Sequence, residues 1–243
     1  MKKPFLEVFE NKKPIFAMLH LKGDTPEDIL ERAKKEIDIY TKAGVDAMIV
    51  ENYFGTYTNM VDVLEYIKET MPGITFGINC LNNDTMAFEL AIKYGATFIQ
   101  LDSVAGHLEE RDDITFDAFM KLFRERFDGY VLGGVRFKYQ PYLSKRSLEE
   151  DLLIGKERCD AIVVTEDATG QETSMSKIQS FKDTLKDFPL IVGAGLTPDN
   201  CKEQFAITDA AIVGSYFKDT YKDTGEIDAE HVTAMLNARN KVQ

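Results

Sequence analysis

Residues 189–200 read P-L-I-V-G-A-G-L-T-P-D-N, and residues 210–218 read A-A-I-V-G-S-Y-F-K. Each is an apolar run that ends in glycine and then turns towards a helix. In a (β/α)8 barrel the loops after strands 7 and 8 build a phosphate site from such segments. Gly193, Gly195 and Gly214 lack a Cβ, so the backbone there can approach an anion closely. Thr197 or Asp199 is placed to cap the next helix, whose first N–H groups then face the phosphate. Ser215 offers its hydroxyl and its N–H. The two segments predict a barrel that holds a phosphorylated small molecule.

Outward from these segments the same grammar repeats. Eight short apolar runs, at 14–20, 45–51, 74–80, 97–102, 130–136, 160–165, 189–194 and 210–214, alternate with amphipathic charged segments. Alternating strands and helices predict a parallel sheet covered by helices. Eight units at about 30-residue spacing favour closure into a barrel. The first helical segment starts with Thr25 as N-cap and Pro26 in the first turn, and Gly44 ends it. Gly95 ends the segment A-F-E-L-A-I-K-Y in the same way. Residues 103–128 break the rhythm and are expected to start as an extended loop over the site. The expected fold is α/β, a single TIM barrel of the ribulose-phosphate-binding kind over residues 1–243.

The 243 residues suit one barrel of roughly 250. A formal charge of −12 argues against non-specific nucleic-acid binding and against attraction to anionic membranes. An anionic ligand must therefore be drawn by a local feature rather than by the overall field. Cys80, Cys159 and Cys201 are odd in number and not in C-x-x-C spacing, so they read as buried free thiols in a reducing cytoplasm. The first residues lack the apolar core of a signal peptide, and no apolar run approaches the ~20 residues of a membrane-spanning helix.

Catalytic groups of such barrels sit at the C-terminal ends of strands. The candidates there are His20, Glu51, Asn52, Asn79, Asp102, Arg136, Lys138, Glu166 and Asp167, with Thr169 and Gly170 just beyond. Each has a plainer reading. His20 can be a hydrogen-bonded core histidine. Glu51 follows an apolar run and needs a partner, which an ion pair would supply. Asn52 and Asn79 can shape turns. Asp102 can pair with Arg136 or Lys138, while Lys138 and Lys218 can be solvated or serve as electrostatic aids. His20, Glu51 and Asp102 would form a divalent-metal site only if their strand ends meet; no H-x-H or H-E-x-x-H spacing supports one, and no cofactor is expected.

The segments A-M-L-H-L (17–21), G-V-D-A-M-I-V-E-N (44–52), G-I-N-C-L-N-N-D (77–84), G-A-T-F-I-Q-L-D (95–102) and C-D-A-I-V-V-T-E-D-A-T-G (159–170), with the two glycine segments, together resemble the BtpA/SgcQ family. The resemblance implies a phosphate-binding TIM barrel. One branch of that family is associated with photosystem I accumulation in cyanobacteria and another with sugar-transport gene clusters. This chain has K-G-D-T-P after His20-Leu21 where the family has a P-L-P-G-S-P loop, and Q-L-D at 100–102 where it has R-V-N. The glycine loops are also similar to those of phosphoribosylanthranilate isomerase. That family has a cysteine after strand 1, where this chain has His20, and an aspartate after strand 6, which Asp167 matches. That particular isomerisation is therefore not expected.

The leading expectation is an isomerase or lyase acting on a sugar phosphate or phosphoribosyl compound. Asp102 with Glu166 or Asp167 would supply acid and base, and Lys138 or Arg136 would stabilise negative charge. The alternative is a non-catalytic barrel that binds a phosphometabolite and serves a partner protein. A homo-oligomer is compatible with either.

Overall fold

The computed structural model describes residues 2–242. Eight parallel strands follow one another around a closed barrel: β1 Ile15–Leu19, β2 Ala47–Glu51, β3 Phe76–Asn79, β4 Phe98–Ala105, β5 Tyr130–Val135, β6 Ala161–Val164, β7 Leu190–Val192 and β8 Ala210–Val213. Closure is made where Ile15, Phe16 and Ala17 of β1 pair with Ala211, Ile212 and Val213 of β8. The helices between and after them are α1 Pro26–Ala43, α2 Tyr57–Thr70, α3 Asp84–Tyr94, α4 Glu110–Arg126, α5 Leu148–Arg158, α6 Met175–Leu185, α7 Cys201–Phe205 and α8 Ala229–Asn240. No described helix is long and apolar enough to cross a membrane.

Every strand is covered on both faces, which is why the strands read as continuous apolar runs rather than alternating ones. The outward faces pack with the helices into one large core that includes Leu19, Tyr40, Val50, Phe88, Phe181 and Phe217. The inward faces fill the barrel with Phe16, Ile49, Phe98, Tyr130, Leu132, Val163 and Ile191. Phe5, from a 3₁₀ turn at Phe5–Val8, packs against Phe16, Phe98 and Tyr130 in this inner cluster. Gly77 makes room for one of these rings, because a Cβ there would lie 2.2 Å from Phe98.

The helix signals act as expected. Thr25 accepts from the Asp28 N–H, Pro26 opens α1, and Gly44 (φ 80°) and Gly95 (φ 71°) end α1 and α3. The three cysteines are free and buried. Residues 103–128 differ from the expectation of an extended loop. Strand β4 continues to Ala105 through a register shift against β5 between Leu101 and Ala105, and α4 starts at Glu110. Gly134 permits this, since a Cβ there would stand 2.1 Å from the Asp102 carbonyl oxygen. The segments that reach the mouth come instead from the loops after β5, β6, β7 and β8.

Candidate functional site

A cavity of 590 Å³ opens at the C-terminal end of the barrel. Its walls come from two sources, side chains after β1–β5 and backbone loops after β6–β8.

The side-chain wall holds a carboxyl pair, Glu51 buried and Asp102 half-buried. Glu51 ends β2, Asn79 ends β3, and Asp102 lies on β4 two positions after Gln100. Asn79 Nδ2 donates to Glu51 Oε1 at 2.8 Å and to Asp102 Oδ1 at 3.2 Å. His20 Nε2 stands 3.5 Å from Glu51 Oε2, and its ring leans on Tyr53 with centroids 4.9 Å apart. His20 Nδ1 and Gln100 Oε1 are buried without a hydrogen-bond partner.

Burial governs the protonation of this wall. Desolvation and the nearby Asp102 charge push the Glu51 carboxyl up to about 8. Desolvation also raises Asp102, against the pull of Asn79 and Lys138. His20 falls to about 3, through desolvation first and then the charges of Lys218 and Lys138. At neutral pH the imidazole is therefore uncharged and the adjacent Glu51 carries the proton. Lys138 is half-buried, lines the cavity, and makes no ion pair among the described residues. It is the cation that pulls both carboxyls back towards ionisation.

The backbone wall contains Thr169, Gly170, Gly193, Gly195, Thr197, Gly214 and Ser215. Several of its glycines have reasons internal to the fold. A Cβ on Gly193 would meet Val163 at 2.5 Å, and one on Gly195 (φ 71°) would meet Glu172 Cα at 2.3 Å. Gly214 is freer, with His20 Cε1 the nearest atom at 3.3 Å. After it, Ser215–Phe217 forms a 3₁₀ turn closed by the Phe217 N–H on the Gly214 carbonyl. The N–H groups of Ser215 and Tyr216 precede that first bond and so have no acceptor within the turn. The hydroxyl of Thr169 is buried without a partner.

Several candidates lie elsewhere or take another role. Neither Thr197 nor Asp199 caps α7. Asn200 occupies the cap position; its Oδ1 accepts the Thr197 N–H at 2.8 Å and its Nδ2 donates to the Gly195 carbonyl at 2.9 Å, which closes the loop on itself. Asn52 Oδ1 accepts the Leu81 N–H and so shapes a turn. Arg136 follows the last residue of β5 in a left-handed conformation (φ 48°), which breaks the strand alternation. Its guanidinium therefore reaches α5, with Nη2 at 3.0 Å from Asp151 Oδ2, rather than the mouth. Glu166 follows the inward Thr165 and accepts from Ser174 N–H and Oγ outside the cavity, and Asp167 is exposed. Lys218 is not a surface lysine, and its charge reaches His20 through space. It is buried, with Nζ 3.3 Å from Glu36 Oε1 of α1.

Residues not singled out in the sequence also line the cavity: Tyr53, Tyr139, Tyr216 and Tyr221. Tyr139 fixes the loop after β6 by accepting the Thr169 N–H on its hydroxyl at 2.9 Å. Tyr53, directly after Glu51-Asn52, is the one whose position past a strand end was a usable signal. Among the described residues no three His, Cys, Asp or Glu side chains are placed to hold a metal ion.

The BtpA family model matches residues 11–241, and the chain belongs to that family. It is 28% identical to an uncharacterised protein of Methanocaldococcus jannaschii, covering 96% of this chain and 97% of the relative. It is 24% identical to the Photosystem I biogenesis protein BtpA of Synechocystis sp., over 96% of this chain and 90% of that protein. Among solved structures it is similar to phosphoribosyl anthranilate isomerase from Thermococcus kodakaraensis, with a TM-score of 0.59, 16% identity, and coverage of 93% of this chain and 98% of the other. At that identity the structural likeness establishes the TIM-barrel fold.

Proposed function

We propose that this BtpA-family barrel binds a phosphorylated small molecule, a sugar phosphate or phosphoribosyl compound, and transforms it by proton transfer as an isomerase or lyase. One observation carries the reading: a buried carboxyl, Glu51, and a half-buried one, Asp102, share a single amide donor on the wall of a cavity, with no lysine or arginine hydrogen-bonded to either among the described residues. Buried carboxyls kept for stability are normally paired, and an unpaired pair in a cleft is the signature of acid–base work.

In this reading Glu51, protonated at neutral pH, donates a proton, and Asp102 removes one from carbon. Asn79 holds the two carboxyls in fixed relation. Lys138 stabilises the negative charge that develops on the substrate oxygen. The N–H groups of Ser215 and Tyr216 and the Thr169 hydroxyl face the phosphate, and that remote contact positions the reacting end. Glu166, Asp167 and Arg136 have no part in it. The similarity to an isomerase of the same fold is compatible with this chemistry.

Thermal unfolding against inorganic phosphate, sugar phosphates and phosphoribosyl compounds tests the binding step. A ligand selective for the folded state raises the midpoint in proportion to the logarithm of its concentration over Kd. The expected result is a shift by one phosphosugar class well beyond that from phosphate, abolished in Gly214→Asp, which puts a carboxylate in the anion loop. With that ligand as substrate, Asp102→Asn is expected to lower kcat by about 10²–10⁴-fold. No shift from any phosphate compound overturns the reading. Tight binding with no turnover in the wild type would instead favour a ligand-sensing barrel serving a partner, to which the exposed Tyr139, Tyr142 and Leu143 beside the mouth also point.

A further inference from the structure

Beside the main cavity lies a second chamber of 180 Å³. The two share Asn82, Asp102 and Gln140 as walls. The rest of the chamber is Cys80, Asp84, Ser103 and His107. No lysine or arginine lines it.

The irregularity in β4 creates this chamber. Successive strand residues normally face opposite sides of a sheet. Asp102 and Ser103 fall within the register shift, and both line the chamber. Ser103 is only 5% exposed, and its Oγ has no hydrogen-bond partner. His107 Nδ1 is likewise buried and unpartnered. Asp84, the first residue of α3, makes no ion pair among the described residues, and Asn83 beside it does the capping. The walls thus hold two carboxyl groups, a free hydroxyl, an imidazole, a thiol and two amide side chains; they include no lysine or arginine, and Lys138 reaches Asp102 only from the main cavity.

That inventory selects an occupant. An anion is repelled. A neutral hydroxyl satisfies some acceptors but leaves the charge uncompensated. A primary ammonium brings three donors and one positive charge, matching both deficits. We propose that the side chamber is a subsite for an ammonium group on the phosphorylated ligand, held by Asp84, Asp102 and the Ser103 hydroxyl. The proposal rests on the main cavity's reading as a phosphate-ligand site and narrows the ligand to an amino compound. Electrostatics agree: desolvation and the charge of Asp102 raise Asp84 to about 6, so the chamber resists two negative charges, a resistance an ammonium would lift.

Two measurements on the full chain test it. The first follows the Asp84 carboxyl carbon by NMR while ethanolamine is added, against ethylene glycol and potassium chloride at equal ionic strength. Ethanolamine is expected to lower the Asp84 midpoint from about 6 while both controls leave it in place. An unmoved midpoint, or an equal response to glycol or potassium, overturns the subsite. The second compares glucosamine 6-phosphate with glucose 6-phosphate by calorimetry. The amino sugar is expected to bind about tenfold tighter, the gain of charge-assisted hydrogen bonds. Asp84→Asn is expected to erase that preference and Ser103→Ala to shrink it. Equal affinities in the wild type overturn the amino-ligand assignment while the phosphate reading stands. If neither sugar nor inorganic phosphate binds, yet ethanolamine still moves Asp84, the phosphate reading fails and the ammonium subsite stands.

Discussion

Two clusters of buried carboxyls occupy the same barrel and meet opposite electrostatic fates. On the flank between α4 and α5, Asp113 and Asp151 are buried among guanidinium groups. Arg158 Nη1 stands 2.7 Å from Asp113 Oδ1, Arg146 bridges Asp113 and Asp151, and Arg136 adds a second cation to Asp151. Burial raises Asp113, but Arg158 and Arg146 outweigh it and hold the carboxyl below its ordinary range. In the mouth, Glu51 and Asp102 share one amide and feel Lys138 only through space, and both are raised. Glu51 is as buried as Asp113 and Asp102 is half-buried, but the pairing differs. The flank turns buried charge into a fastening between helices, whereas the mouth leaves it uncompensated, where a ligand can respond to it.

The largest effect expected from breaking this contrast is on stability. Asp151→Asn leaves Arg136 and Arg146 facing a neutral amide in a fully buried position. Removing one partner of a buried pair costs about 3–5 kcal/mol. Asp102→Asn, nearly the same change in the mouth, removes an uncompensated charge and is expected to be neutral or stabilising. Urea unfolding of the two variants decides it. Equal losses would mean that the mouth carboxyls are structural after all.

A second contrast is in pH. The unfolded chain ionises Glu51 near its ordinary 4.5, and the folded chain keeps the proton up to about 8. The folded state therefore binds more protons in that window, and stability falls as pH rises through it. His20, lowered from 6.5 to about 3, acts with the opposite sign: its contribution is lost as pH falls from 6.5 towards 3. Between 6.5 and 8 only Glu51 of the two remains. The wild type is expected to lose about 2 kcal/mol across that interval relative to Glu51→Gln. Urea midpoints of both proteins at a series of pH values measure the difference. A constant difference would show that Glu51 is ionised in the fold at neutral pH.

The contrast also explains what was legible in the sequence. The eight strands were, because double-sided burial makes each an unbroken apolar run, and Thr25, Pro26, Gly44 and Gly95 mark helix ends by local chemistry alone. His20, Glu51, Asn79, Asp102 and Lys138 were legible as polar residues at strand ends. Arg136 and Glu166 were not, because each lies past the last paired residue of its strand, β5 or β6, where nothing local fixes the side chain's direction. A left-handed Arg136 sends its side chain to the flank. Ser103 was hidden for the converse reason, since regular alternation assigns it to the face opposite Asp102 and only the register shift brings the two together. The partner of Lys218 lies on α1, 182 residues away, and no local pattern points to it. Gly193 and Gly195 stand out in the sequence, but their neighbours Val163 and Glu172 account for them before any anion does.

The smallest expected effect bears on Lys138, the lysine that lines the mouth among the described residues. Lys138 lowers Glu51, Asp102 and His20 through space, without an ion pair to any of them. Lys138→Met removes that field. Its ammonium is half-buried and screened by solvent, so the change in stability at neutral pH should stay below about 1 kcal/mol. The titration should nonetheless move in a defined direction. The Glu51 carboxyl, followed by carbon NMR, is expected to titrate above its wild-type midpoint of about 8, and Asp102 is expected to rise with it. An unmoved Glu51 would place the ammonium too far out in solvent to act on the carboxyl pair. A large loss of stability would make Lys138 a structural partner of the kind found on the flank, and the contrast between the two clusters would close.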